Sequence, residues 1–208
     1  MKGGSFVVLV VITAACVTPQ RLPAQTVEFV PHFGLHMPVG LLMEGRDQSD
    51  NSLLRRRQLG STSIGARLAV RPNARVSVEA TAAYSPGLVA ITDRDATVDL
   101  GGRVFLGNLK AMYRFARDDS GWQFYAGSGA GIVNRHGEGW NGTGGTTDFA
   151  VVFAGKARLG KLHSNKAFIL AVEDYVTRAA FRGINASAEP RIHHDVVYSF
   201  GMAIPLTR

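Results

Sequence analysis

From Val196 to Leu206 the chain alternates without a break. Val196, Tyr198, Phe200, Met202, Ile204 and Leu206 are large and apolar, while Val197, Ser199, Gly201, Ala203 and Pro205 are mostly small. A period of two describes a β-strand with two unlike faces. Large apolar groups on one side and small groups on the other suit a strand with lipid outside and a crowded interior. A soluble sandwich strand more often turns its polar groups outward, to water. This stretch alone fits either setting, and the number and spacing of its companions decide between them.

Seven further stretches alternate in the same way, at about 27–37, 61–71, 75–84, 103–115, 122–133, 147–160 and 167–177. The connections between the eight stretches run long, short, long, short, long, short, long. The long ones cover 38–59, 85 to about 100, 134–146 and the residues up to His194. Ser85-Pro86-Gly87 reads as a strand break opening the second of these, with Leu88 to Thr92 as a brief extension. Pro72-Asn73, Arg117 to Gly121 and Leu162 to Lys166 read as tight turns. A sandwich has no reason to make every second connection long, whereas a membrane barrel has long outer loops and short periplasmic turns. Each stretch is near the roughly 9–11 residues that a tilted transmembrane strand needs. The expected fold is all-β, an eight-stranded antiparallel up-and-down transmembrane β-barrel.

One face of these strands concentrates charge: Glu28, Arg67, Arg71, Glu79, Lys110, Arg114, Lys156, Arg158 and Glu173, with His32 among them. Such residues are a burial problem in a dry core. In a narrow barrel they can form a network across the lumen. The opposite faces carry almost no charge in mid-strand. The fifth stretch is ambiguous, because Gly127, Gly129 and Gly131 leave its facing open.

Residues 1–24 read as a secretory signal peptide, with Lys2 ahead of the short apolar run Phe6 to Ala15. Residues 25–208 then form one barrel domain. Of 23 Lys and Arg against 16 Asp and Glu, the leader removes Lys2 and Arg21 and leaves +5. Cys16, the only cysteine, is either removed with the leader or lipidated, since Thr13-Ala14-Ala15-Cys16 faintly resembles a lipoprotein box. The basic residues are scattered and match no nucleic-acid motif, so nucleic acid is not an expected partner.

The chain resembles the small eight-stranded outer-membrane barrels, the group of the OmpA transmembrane domain and the OmpX-like and OmpW-like proteins. The stretches that carry the resemblance are Phe124-Tyr125-Ala126-Gly127-Ser128-Gly129-Ala130-Gly131 and the alternating end. The chain departs from that group in ending Pro205-Leu206-Thr207-Arg208, where those barrels carry an aromatic residue. The resemblance implies residence in the outer membrane of a Gram-negative bacterium, among lipid and lipopolysaccharide, after delivery by the barrel-insertion machinery. It implies a structural or surface-interaction role, with no catalytic residue and no cofactor.

Other motifs point less far. Gly127-x-Gly129-x-Gly131 lacks dinucleotide-site spacing and reads as small residues where strands crowd. His32 and His36 lie ~13 Å apart on a strand, too far to share a metal. His193-His194 falls in the last long connection. His163 and Ser164 invite comparison with outer-membrane lipid deacylases, but they sit in a short turn with no orienting carboxylate. Arg55-Arg56-Arg57, in the first long connection, is a candidate contact for lipopolysaccharide phosphates. Two alternative functions stand beside the main expectation: a lipocalin-like periplasmic or lipid-anchored carrier, and a lipid-modifying enzyme of the outer membrane.

Overall fold

The computed structural model describes residues 26–40, 43–46, 53–93, 96–117, 121–141, 147–160, 166–179 and 191–206. The leader, Cys16 and the pair His163 and Ser164 lie outside the described residues. The ten strands are β1 (Thr26–Val39), β2 (Met43–Arg46), β3 (Leu53–Gln58), β4 (Ser61–Arg71), β5 (Val76–Asp93), β6 (Ala96–Arg117), β7 (Trp122–His136), β8 (Thr147–Leu159), β9 (Ala167–Ala179) and β10 (Arg191–Pro205). One 3₁₀ turn, Glu138–Trp140, follows β7.

Eight strands form a closed antiparallel ring in the order β5, β4, β1, β10, β9, β8, β7, β6, and β6 returns to β5. Closure removes the exposed sheet edges that an open array of this length would leave. The first and last ring strands meet along their length, from Glu28 opposite Pro205 to Val39 opposite His194. Strand β10 therefore joins the chain's end to its beginning.

Alternation sets the facing. On β1, Glu28, Val30, His32 and His36 are buried while Phe29, Phe33, Leu35 and Met37 are exposed. On β10, Val197, Ser199, Gly201 and Ala203 point inward, as the alternation at the chain's end predicts. The three glycines of β7 also lie on the inward side, between Tyr125 and Val133. A Cβ at Gly129 would collide with the Leu109 carbonyl and the Lys110 backbone. Glycine here lets β7 approach β6 closely while Lys110 and Met112 fill the interior.

Two expectations need correction. Strand β5 does not break at Ser85-Pro86-Gly87 but continues to Asp93, and its partner β6 starts at Ala96. The pairing with β4 ends at Tyr84 and the pairing with β3 begins at Val89. Between them one flank of β5 carries no ladder, an environment in which a strand tolerates proline. Ser85 closes that gap through Ser61 Oγ at 2.7 Å and the Thr62 carbonyl at 2.9 Å. The first long connection is likewise strand in part: β2 and β3 form a hairpin that extends β5 sideways. Together β2, β3 and the ends of β5 and β6 make a four-stranded projection at the long-connection end.

Candidate functional site

The interior of the ring is a charged network at three levels. At the centre, Glu173 of β9 accepts from Arg67 Nη2 at 2.7 Å, Lys110 Nζ at 2.8 Å, and Asn108 Nδ2 and the Tyr175 hydroxyl at 3.0 Å each. Lys110 also donates to Thr81 Oγ1 at 2.8 Å and Asn108 Oδ1 at 3.0 Å. Glu79 of β5 pairs with Arg67 at 3.5 Å and is in contact with Lys156 of β8. Ser77 donates to the same carboxylate at 3.0 Å. Lys156 lies over the Tyr125 ring, 4.3 Å from its centroid.

At the short-turn end, Glu28 accepts from Arg158 at 2.9 Å and pairs with Arg71. At the long-connection end, Asp195 accepts from His36 Nε2 at 2.9 Å, in the tautomer that places the proton there, and pairs with Arg135. Arg135 donates to Asp148 at 2.8 Å as well.

The topology gives these pairs their meaning. β4 and β9, β5 and β8, β6 and β9, β1 and β8, and β7 and β10 are each three positions apart in the ring. The bridges Arg67–Glu173, Glu79–Lys156, Lys110–Glu173, Glu28–Arg158 and Arg135–Asp195 therefore cross the interior. Two neutral clusters pack around them: Val104, Leu106, Val133, Val152 and Tyr175 in one, Val30, Ile169, Ala171 and Ala203 in the other. An eight-stranded ring is only wide enough for side chains to fill, and here the cross-bridges and the two clusters occupy its middle.

Of the nine residues expected in this network, eight are ion-paired within it. The ninth, Arg114, is half-buried near the short-turn end and has no carboxylate partner among the described residues. Sequence reasoning missed the level at the long-connection end, because it stopped the fifth strand at Val133 and began the eighth near Val196. Extending the same alternation by one step puts Arg135 and Asp195 on the inward face. His193 and His194 belong to β10, not to a loop. His193 is buried, while His194 points outward to Asp174, at 2.9 Å.

The triple arginine lies on β3 rather than in a loop, and alternation divides it. Arg55 and Arg57 are exposed, but Arg56 is half-buried. Arg56 donates to the carbonyls of Gly139 at 3.2 Å and Asn141 at 3.4 Å, holding the 3₁₀ turn over the mouth of the ring. Burial lowers its pKa from the usual arginine value. Trp140 of that turn is buried, beneath the Arg135 guanidinium at 5.9 Å. Arg55 is bound to Glu44 at 3.0 Å, and Glu44 also meets Arg191 of β10 at 3.4 Å. Its hydrogen bond from Arg55, reinforced by the charges of Arg55 and Arg191, holds the Glu44 carboxyl below the ordinary glutamate value.

His36 has an orienting carboxylate in Asp195, and among the described residues no Ser or Thr hydroxyl is hydrogen-bonded to its ring. No protein-family model and no curated protein matches the chain.

Proposed function

We propose that the chain is an integral outer-membrane protein, an eight-stranded up-and-down transmembrane β-barrel with a structural or surface-interaction role. The supporting observation is an inverted polarity. Charges are buried inside the ring, while Phe33, Ile64, Leu109, Phe115, Phe153 and Phe168 stand exposed on its outer face. Water would penalise that outer face, and lipid would not.

The dimensions agree. From Phe105 to Phe115 the outward residues of β6 are uncharged, about 33 Å along the strand at ~3.3 Å per residue. At a tilt of about 40° this is a band near 25 Å tall, the height of an outer-membrane apolar belt. Aromatic pairs lie toward the short-turn end, where a girdle is expected: Trp122 on Phe124 at 6.2 Å, and Phe168 on Phe200 at 5.9 Å. The Asp174–His194 pair is the charged exception in the outward middle, and its two members neutralise one another when the histidine is protonated.

In this reading the short turns face the periplasm and the projection β2, β3, β5 and β6 stands outside the cell. The bridges across the middle of the ring argue against a diffusion pore, and their charges argue against a lipocalin-like carrier, which needs an apolar cavity. The projection, with Arg55, Arg57, Leu88 and Val98 exposed, is then the surface for lipopolysaccharide or another partner. The test is fractionation with heat modifiability. A band in the outer membrane that migrates differently when unboiled is expected. A periplasmic protein with no shift would overturn the proposal.

A further inference from the structure

The short-turn end of the ring opens into a cavity of about 470 Å³, lined among others by Thr26, Arg71, Asn73, Arg114 and Gln123. Its size is within the roughly 300–1,000 Å³ of small-molecule sites. Among the described residues its charge is unbalanced. Arg71 and Arg158 share the single carboxylate of Glu28, and Arg114 has no carboxylate partner among the described residues. Among the described residues, this end of the ring thus holds three guanidinium groups and one carboxylate, and two of the three, Arg71 and Arg114, line the cavity. The next level inward adds to the excess, with Arg67, Lys110 and Lys156 against Glu79 and Glu173. A low-dielectric mouth with charge of one sign concentrates counter-ions. The neutral donor is arranged to match. The Tyr125 hydroxyl donates to Gln123 Oε1 at 2.7 Å, which occupies the amide oxygen and leaves the NH₂ group to donate.

We propose that this vestibule is an oxyanion site that takes a phosphate group, held by Arg114 and Arg71 and assisted by Gln123. Guanidinium groups match phosphate oxygens in planar, paired hydrogen bonds. The phosphate comes either from a free anion or from a lipid headgroup of the adjoining leaflet. Its placement toward the periplasm rests on the barrel reading, whereas the binding does not.

The experiment uses the full-length protein folded in zwitterionic micelles at low ionic strength. Inorganic phosphate is titrated while the backbone amides of Asn73, Arg114 and Gln123 are followed by NMR. A saturable shift at these amides is expected, weakened roughly tenfold or more in Arg114→Gln, as loss of a charged hydrogen bond implies. It should be partly kept in Arg114→Lys and unchanged in Arg57→Gln at the opposite end. A parallel titration replaces phosphate with micelles doped with phosphatidic acid. A response to phosphate identifies the free anion as sufficient. A response to phosphatidic acid alone identifies the headgroup. Absence of both responses in protein that keeps its unboiled gel shift, or responses indifferent to Arg114, would overturn the site and leave the barrel reading standing. Phosphate binding by a protein that fractionates as soluble would keep the site and remove the barrel reading.

Discussion

Glu173→Gln is the most informative single change in the interior. Glu173 is 2% exposed and binds two cations and two neutral donors. The substitution keeps shape but removes charge. The central level then holds Arg67, Lys110 and Lys156 against Glu79 alone, so its excess rises from one positive charge to two. Leaving a buried cation without its partner costs about 3–5 kcal/mol, a large part of the roughly 5–15 kcal/mol that holds a domain together. Adding Lys110→Met returns the excess to one, and replacing both members of a buried pair is often close to neutral. The expected coupling between the two changes is therefore at least about 2 kcal/mol. The assay is reversible urea unfolding in micelles, read by the fluorescence of Trp122 and Trp140. With a slope of about 1–3 kcal/mol/M, the single variant should lose a molar unit or more in midpoint, and the double variant should recover most of it. A loss under about 1 kcal/mol for Glu173→Gln would mean that the central level is screened, and would refute a stabilising role for the cross-braced interior.

Leu109→Arg, in the middle of the outward face of β6, should destabilise the protein by about 2–4 kcal/mol in lipid vesicles. Little effect there would count against membrane insertion. Arg56→Ala should release the 3₁₀ turn by removing the donor to the Gly139 and Asn141 carbonyls. In a Trp122→Phe background, acrylamide quenching of Trp140 should rise while the unboiled gel shift persists; unchanged quenching would show that the turn is held by other contacts. The Glu44 carboxyl is depressed in the folded state, so the support it lends to the β2–β3 hairpin is complete above the ordinary glutamate pKa of about 4.3. That support is lost as pH falls through the lower folded value. Exchange protection of residues 53–58, corrected for intrinsic rate, should therefore drop only in acid, and in Glu44→Gln the drop should disappear.

Facing was legible in the sequence wherever a strand alternated between unlike residues. On β1 and β10 the large apolar set and the small or polar set are separate, so burial follows from the pleat alone. On β7 the signal failed. Gly127, Gly129 and Gly131 have no side chain to be sorted, and only their close approach to β6 reveals that they line the interior. Strand ends were the other weak point. Pro86 and the polar triple arginine read as loop chemistry, yet both belong to strands of the projection, where pairing is one-sided or exposed to solvent. Local composition reports turn chemistry, and it does not report that a neighbouring strand has arrived to pair. The bridging of opposite walls was beyond the sequence for a similar reason. Alternation assigns Arg67 and Glu173 to the same side of the sheet, but only ring closure brings β4 across from β9.

An apolar interior would serve stability as well as this one does, since buried ion pairs seldom exceed well-packed hydrocarbon in net worth. What the charges add is register. A one-residue slip of a strand moves its whole inward set to the outer face. On β6, Val104, Leu106, Asn108 and Met112 are neutral inward neighbours of Lys110, and the next inward charge, Arg114, lies near the short-turn end, so Lys110 is the charge in the middle of the strand whose exposure to lipid would be costly. In the proposed membrane setting its appearance there would cost about 2–4 kcal/mol, besides its bonds to Glu173, Thr81 and Asn108. The Lys110→Met/Glu173→Gln variant separates the two roles. Its unfolding free energy should stay near that of the parent while β6 loses its mid-strand register marker. Doubled amide resonances along β5, β6 and β7 in vesicle or micelle spectra are the expected sign. A single sharp set at parental stability would show that glycine packing between β6 and β7 fixes the register without the charge.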